Sequence, residues 1–173
     1  DDLDCTYNFS FEVLEQEPII IDPDSQNISC FGTNDGSINI VISGGTPPFN
    51  YSWSNGDNTP NINNLNPGEY TLIVTDFFNC AEEVTILIEE PELLTFSVNT
   101  FDVTTCYGDD NGSAYLTING GTPPYSQNWF GFNPNALQGG DYTVTVTDFN
   151  GCELTSNFVI NQPEDLVLDI VTG

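Results

Sequence analysis

The sequence contains no lysine, arginine, histidine or methionine, although it has 26 aspartate and glutamate residues and a formal net charge of −26 at pH 7. Without histidine, the chain cannot form a Ser-His-Asp triad, a Cys-His pair or an imidazole metal site. Without lysine, it cannot form a Schiff base or a P-loop. Two carboxylates could still hydrolyse a glycoside, but nothing in the sequence singles out such a pair. We therefore expect no catalytic residue, no required cofactor and no enzymatic activity.

The absence of basic residues also argues against polyanionic partners. Nucleic acids and anionic membrane surfaces are bound through lysine and arginine, so the sequence predicts no nucleic-acid partner. It has no apolar run long enough for direct membrane insertion, and no initiator methionine or signal peptide, so we expect an internal segment of a longer exported protein. Hydrophobic residues make up 38% and include 12 phenylalanines, which is too apolar for a disordered acidic tail.

Nearly the same ten letters occur twice, as GGTPPFNYSW at residues 44–53 and GGTPPYSQNW at 120–129. The offset between the two copies is 120 − 44 = 76, and Trp53 and Trp129 keep it. Later in the repeat the offset falls to 152 − 80 = 72, because four residues are missing from a polar segment after Trp129. A deletion confined to such a segment is typical of a surface loop between strands.

The repeat divides the chain into four parts. We predict the tail of a preceding repeat at 1–18, two complete repeats of about 72–76 residues at 19–91 and 92–163, and the first strand of a following repeat at 164–173. Each complete repeat contains segments that alternate apolar and polar side chains, with turn residues between them. Asn150-Gly151 predicts a two-residue hairpin of the primed-turn type.

These signals predict an all-β fold, in which tandem immunoglobulin-like β-sandwich repeats are arranged as a linear rod. No stretch shows helical spacing. Trp53 and Trp129 follow the proline pair at the same place in each repeat, so we interpret them as core aromatic residues that fill the space between two sheets. The alternative is that they form exposed platforms for sugar stacking.

Five cysteines in a chain without basic residues favour an oxidising, extracellular compartment. Each complete repeat has one cysteine before its first hairpin turn and one after its last. We therefore predict the disulfides Cys30–Cys80 and Cys106–Cys152, with Cys5 unpaired. A metal-thiolate site is disfavoured because there is no CxxC spacing and no histidine.

The acidic turns leave a second alternative open, namely a calcium site. The candidate ligands lie in turns near the first cysteine or at the last hairpin of each repeat: Asp35, Asp76, Asp109, Asp110 and Asp148. Turn capping by aspartate side chains is the simpler interpretation. The spacing does not fit an EF-hand loop.

The order of motifs resembles the SprB repeat: Cys-x-Gly, an acidic or amide residue with Gly-Ser, GGTPP with an aromatic residue, Trp, Gly-(Glu/Asp)-Tyr-Thr, Val-Thr-Asp, Cys and a closing proline. The resemblance runs over residues 30–91 and 106–163. It implies a very large surface adhesin of gliding Bacteroidetes, type IX secretion, an outer-surface location and partners in the motility and secretion machinery. GGTPPFNYSW also resembles polycystic-kidney-disease type repeats, but the sequences after Trp53 and Trp129 depart from that pattern.

Two functions follow from the resemblance and the residues. In the first, the repeats form a stalk or spacer, because the closing prolines run into the next repeat without a linker and the neighbouring repeats are the main partners. In the second, the repeats themselves bind polysaccharide or solid surfaces through exposed aromatic residues and Asn-rich loops such as 55–64. The different length of this loop in the two copies favours the spacer.

Overall fold

The computed structural model describes residues 9–12 and 15–167. Within these ranges all regular structure is β-strand and there is no helix, so the all-β prediction is confirmed. In the same residues no helix is long and apolar enough to cross a membrane. The strands are β1 (Ile20–Gln26), β2 (Gly36–Ser43), β3 (Asn50–Trp53), β4 (Ile62–Leu65), β5 (Gly68–Thr75), β6 (Ala81–Ile88), β7 (Thr95–Phe101), β8 (Ser113–Asn119), β9 (Ser126–Asn128), β10 (Gly140–Thr147) and β11 (Glu153–Ile160).

The first repeat forms two three-stranded sheets, with the orders β1-β2-β4 and β3-β5-β6. In the second sheet, β3 pairs antiparallel with β5, with Asn50 opposite Thr75 and Trp53 opposite Leu72. Two sheets from a short segment are the minimum for a sandwich-like core, because each sheet offers one apolar face to the other.

The second repeat uses the same register with fewer strand residues. Its sheets have the orders β7-β8 and β11-β10-β9, and β9 pairs antiparallel with β10, with Ser126 opposite Thr147. This pair corresponds to Asn50 and Thr75 of the first repeat by the two offsets found in the sequence. The counterpart of β4 is reduced to an isolated bridge between Gly112 and Leu137.

Strand alternation determines which side chains form the core. In β10, Val144 and Val146 are fully buried, while the threonines that alternate with them, at 143, 145 and 147, are only partly covered. In β5, Leu72 and Val74 occupy the corresponding positions and are equally buried. The period-two pattern of the sequence therefore predicts the inward face of both strands correctly.

The structure explains why both repeats carry two successive glycines. Gly44 and Gly120 have φ angles of +68° and +67°, and a Cβ at either position would collide with a backbone carbonyl, that of Pro18 or of Leu93. The next glycine of each pair also has a positive φ angle, and its N–H donates to the carbonyl of Glu17 or Glu92. The glycines thus let the turn lie directly against the segment that enters the repeat.

The chain contains two compact units, each with its own core. Unit 1 comprises 1–25, 38–62 and 69–87, and unit 2 comprises 26–37, 63–68 and 88–173. The units do not follow the predicted repeat boundaries, which stay a prediction. Most of the predicted strand at 164–173 lies outside the described residues, as does Cys5. The buried apolar residues of unit 1 are Ile19, Ile38, Trp53, Ile62, Leu72, Val74 and Ile86.

The core of unit 2 is centred on a buried cluster packed against partly buried aromatic side chains. The buried members are Val103, Ala114, Leu137 and Ile160, and the residues packed against them include Trp129, Tyr142 and Phe158. The Trp129 ring lies edge-on to Phe158, with 5.9 Å between the ring centroids.

The predicted turn at Asn150-Gly151 is wrong in type. A primed two-residue turn needs positive φ at both central residues, but only Gly151 has one, at +87°. The loop instead spans the five residues between β10 and β11. Its geometry is determined by Asp148, whose side chain accepts hydrogen bonds from the loop backbone, and this contact is not visible in a two-residue sequence signal.

Candidate functional site: the cysteine turns

The first cysteine of each repeat lies in a tight turn with the same hydrogen bonds in both copies. The N–H of Thr33 donates to the carbonyl of Cys30, and the N–H of Asp109 donates to that of Cys106, both at 3.1 Å. The cysteine N–H is bound in return by the side chain three residues on, Thr33 Oγ1 at 3.3 Å or Asp109 Oδ2 at 3.0 Å. Local side-chain acceptors of this kind stabilise turns that lack strand partners.

A further hydrogen bond joins each of these turns to the end of the last strand of its repeat. The N–H of Gly32 donates to Glu90 Oε1 at 2.7 Å, and the N–H of Gly108 donates to Gln162 Oε1 at 3.1 Å. Both glycines have positive φ angles, +78° and +83°, which the turn requires. We call residues 29–35 and 104–111 the front turns.

The second cysteine of each repeat lies in the loop of the last hairpin, which is organised by a buried aspartate. Asp148 is 6% exposed; its Oδ1 accepts from the N–H groups of Asn150 and Cys152, both at 2.9 Å, and its Oδ2 accepts from the N–H of Thr122 at 2.8 Å. A carboxylate buried in this way is stable because three backbone donors replace the water it loses.

Asp76, which is 2% exposed, makes the same three contacts in the first repeat. Its Oδ1 accepts from the N–H groups of Phe78 and Cys80 at 2.9 Å, and its Oδ2 accepts from the N–H of Thr46 at 3.1 Å. We call residues 76–80 and 148–152 the hairpin loops.

The structure contains a disulfide between Cys30 and Cys152, with Cα atoms 5.7 Å apart. It joins the front turn of the first repeat to the hairpin loop of the second, and both turns belong to unit 2. The predicted pairs Cys30–Cys80 and Cys106–Cys152 are therefore wrong for this structure. Cys80 and Cys106 are instead exposed thiols.

The reason is the position of the two cysteines along one strand. In the second repeat, Cys152 precedes the eight-residue strand β11, while the front turn that carries Cys106 is bound to Gln162 beyond the other end of that strand. Eight strand residues span about 26 Å, and a disulfide requires Cα atoms within about 7 Å. In the first repeat, Cys80 precedes β6 and the front turn is bound to Glu90 beyond it.

Further contacts surround the disulfide. The side-chain Nδ2 of Asn150 donates to the carbonyl of Ser29 at 2.9 Å and to Thr122 Oγ1 at 3.2 Å. A groove beside the disulfide is lined by Phe31, Leu93, Leu94 and the hairpin residues 151–154. The hairpin loop thus contacts the front turn through both a covalent bond and a polar bond.

Three aspartates near the front turns have lowered pKa values. The Ser29 and Thr33 groups that donate to Asp35 hold its pKa below 3.8, as the side chain and backbone of Asn161 do for Asp102. The Thr105 hydroxyl and the Cys106 N–H lower the pKa of Asp109. Hydrogen bonds that favour the charged form cause each shift.

Four of the five aspartates considered as calcium ligands accept hydrogen bonds from nearby backbone N–H groups: Asp35, Asp76, Asp109 and Asp148. Asp35 Oδ1 accepts from the N–H of Ser29 at 3.0 Å and from Thr33 Oγ1 at 2.9 Å. Within the described part of the chain, no three carboxylate or cysteine side chains are grouped so that they could hold a metal ion. Calcium binding therefore stays a prediction.

The two tryptophans occupy different environments. Trp53 is 3% exposed, and its Nε1 donates to the carbonyl of Thr59 at 2.8 Å in the loop that follows it. Trp129 is half-buried beside Phe158, and its Nε1 donates to Gln127 Oε1. The four-residue deletion explains the difference, because the segment that covers Trp53 is shortened in the second repeat, where Phe130 has a φ angle of +53° and is 56% exposed.

Unit 2 also carries a partly exposed row of aromatic rings that the sequence did not single out. Phe132 packs edge-on against Tyr142 at 4.9 Å between centroids, and Tyr142 stacks on Phe158 at 5.5 Å. Phe130 and Phe132 are 56% and 53% exposed. A shallow pocket between them is completed by Asp141 and Thr143. We call this the aromatic surface.

Comparison with known proteins gives one family. The family model described as the SprB repeat matches residues 23–58 and 99–129, which in each copy run from the first strand past the front turn and up to or just beyond the tryptophan. The chain carries two SprB-like repeat modules. No curated protein matches the chain significantly.

Proposed function

We propose that this chain is a non-catalytic segment of a very large secreted cell-surface adhesin, in which it acts as an extended spacer in attachment and gliding motility. The two SprB-like modules carry the proposal, because modules of this family occur in surface adhesins of gliding cells. The parent protein would leave the cell by type IX secretion and lie on the outer surface. Its partners would be neighbouring repeats and the motility and secretion machinery.

The way in which the second module begins supports a spacer. Only residues 89–94 separate β6 from β7, and Leu94 at the end of this segment is 7% exposed. A Cβ on Gly121 would lie 3.1 Å from Leu94 Cδ1, so the connection is packed against the double-glycine turn of the second module. The connection is short and ends on a buried leucine, and the Cys30–Cys152 bond adds a second covalent link between the two repeats, so we expect both to restrict bending. We infer immunoglobulin-like sandwich modules joined end to end as a rod.

The in-frame deletion of residues 19–163 from the full-length protein in the producing cells tests the spacer. We expect attachment and gliding to persist, because the deletion removes length and no binding group. Fab labelling of a distant part of the protein would show that the shortened adhesin still reaches the surface. A deletion strain that reaches the surface normally but attaches as poorly as a null strain would contradict the proposal.

The aromatic surface supports a second function, direct binding of polysaccharide. Exposed rings next to Asp141 and Thr143 offer both a stacking face and polar groups to a sugar, which is the usual composition of such a site. The test is retention of the purified chain on immobilised acidic and neutral polysaccharides. Loss of retention in Phe132→Ala, with retention kept in the control Phe149→Ala, would favour binding; no retention of the wild type would dismiss it.

A further inference from the structure

We propose that Cys106 and Cys80 each form a further disulfide with a cysteine of another repeat, and that each of these bonds is equivalent to Cys30–Cys152. In this scheme every front-turn cysteine bonds to the hairpin-loop cysteine of the repeat that follows it. Cys106 would take the hairpin cysteine of a following repeat, and Cys80 would take the front-turn cysteine of a preceding one. The partner is thus another copy of the same module, and the inference holds whether the array is a spacer or a binding surface.

The front turn around Cys106 has the geometry of the turn whose cysteine is already bonded. The hydrogen bond from the residue three positions on to the cysteine carbonyl has the same length at Cys30 and Cys106, 3.1 Å. Both turns are bound through a glycine N–H to the end of the last strand, at Glu90 or Gln162. Cys106 is therefore presented by the same local structure that presents Cys30 to its partner, yet it is an exposed thiol.

The hairpin loop around Cys80 likewise matches the loop of Cys152. The cysteine N–H donates to the buried aspartate at 2.9 Å in both, and the aspartate N–H donates back to the cysteine carbonyl, at 2.9 Å for Asp76 and 3.0 Å for Asp148. A residue with positive φ precedes each cysteine, Asn79 at +63° and Gly151 at +87°.

The surface next to Cys106 has part of the lining found in the groove beside the Cys30–Cys152 disulfide. It is lined by the front-turn residues 105–107 and by 163–166, but it has no counterpart of the hairpin residues that complete the groove beside Cys30. The exposure of Leu166 also differs from that of its equivalent in the second repeat. Leu166 is 94% exposed, whereas Leu94, its equivalent at the start of the second repeat, is 7% exposed where it packs near Gly121. A following module would supply both the hairpin and the double glycine.

The bond forms by ordinary thiol–disulfide exchange. The Cys106 thiolate attacks a small-molecule disulfide such as glutathione disulfide, forms a mixed disulfide and releases one thiol. The hairpin thiolate of the following repeat then attacks the Cys106 sulfur and releases the second thiol. Two protein thiols lose two protons and two electrons, and one oxidant disulfide is reduced to two thiols.

The test is a chain in which residues 92–163 occur twice in succession, so that Pro163 is followed by Glu92 as Pro91 is in the native sequence. The added copy carries Cys106→Ser, so that only the original Cys106 competes for its hairpin cysteine, and Thr155→Ser, which gives its hairpin peptide a distinct mass. The control chain also carries Cys152→Ser in the added copy. Both are oxidised with glutathione disulfide, digested without reduction and mapped by mass spectrometry.

We expect two linked peptides from the test chain, Cys30 with the original Cys152 and Cys106 with the added, mass-tagged Cys152. Only Cys5 and Cys80 should then react with a thiol reagent after denaturation. In the control chain, Cys106 should also react with the thiol reagent. Cys106 that remains a thiol in the test chain, or that bonds to Cys152 of its own repeat, would overturn the proposal, as would the failure of Cys30–Cys152 to form.

Discussion

Asp76 and Asp148 each hold two turns of their own repeat together. Each is buried, and each accepts three backbone hydrogen bonds from two separate segments, the hairpin loop and the threonine of the GGTPP turn. The loss of one such acceptor leaves partly buried N–H groups without a partner, which costs more than a surface hydrogen bond is worth.

Asp148→Asn should therefore lower the free energy of unfolding by about 2–4 kcal/mol, because an NH₂ group would face backbone N–H donors. Urea denaturation of the oxidised chain measures the change. The exposed Asp141→Asn serves as the charge-matched control and should stay within about 0.5 kcal/mol of the wild type. Equal midpoints for the two variants would show that the carboxylate is not needed.

The lowered pKa of Asp102 leads to a prediction about how stability depends on pH. Hydrogen bonds from Asn161 hold its pKa below 3.8, so the unfolded chain takes up this proton before the folded chain does as the pH falls. Its contribution to stability is present above about pH 4 and is lost as the pH falls through the folded pKa. Asn27 occupies the equivalent position in the first repeat and accepts the same backbone hydrogen bond, from Glu89. Asp102→Asn should therefore keep the contact without titrating.

Unfolding curves of the wild type and of Asp102→Asn at pH 5 and pH 2.5 measure this effect. The wild type should lose more stability between the two values than the variant does, since both share the response of every other carboxylate. Parallel losses would mean that the hydrogen bonds of Asp102 do not favour its charged form.

Residue identities alone were insufficient to predict the cysteine partners. Alignment of the repeats shows that Cys30 is equivalent to Cys106 and Cys80 to Cys152, but equivalence does not reveal which cysteines meet. The decisive quantity is the length of β11 between Cys152 and the attachment of the front turn at Gln162. The strand pattern was visible in the sequence, whereas the glycine hydrogen bond that fixes the front turn was not.

At the scale of the element, the double-glycine turn is the feature that the sequence repeats most faithfully. Gly120 has a left-handed φ angle, as Gly131 does, but only Gly120 lies against backbone atoms, those of Leu93. A side chain at Gly131 would meet open space. The two positions therefore separate the conformational preference of glycine from its need for close approach.

We expect Gly131→Ala to lower the free energy of unfolding by about 1–2 kcal/mol, the cost of a left-handed alanine. Gly120→Ala should cost about 3 kcal/mol or more, because the Leu93 carbonyl must move as well. Thermal unfolding of both variants measures the difference. Similar melting temperatures would show that only backbone preference selects the glycine.

The strands themselves were largely predictable. Alternating apolar and polar side chains are visible in the sequence along β2, β5, β6, β8, β10 and β11. The second copy of β4 was not predictable, because the deletion after Trp129 reduces it to the Gly112–Leu137 bridge. The same deletion leaves Trp129 half-buried, since no following segment covers it as Thr59 helps to cover Trp53. Loop length, more than residue type, determined these differences.

At the scale of the whole molecule, charge and covalent linkage act together in the proposed spacer. The chain carries −26 with no basic residue, so neighbouring modules repel one another within a Debye length of about 8 Å at physiological salt. Repulsion favours separation, while the short connection and the Cys30–Cys152 bond keep the modules joined. An array with these properties would be stiff and resistant to collapse.

Small-angle X-ray scattering of the oxidised chain in 0.15 M NaCl tests this central claim most directly. Two modules of about 75 residues, each with a radius of gyration of about 11 Å and with centres about 33 Å apart, give about 20 Å for the pair. A single compact body of the same length would give about 16 Å. The predicted result is the larger radius of gyration. The smaller radius, that of a single compact body, would contradict the end-to-end spacer.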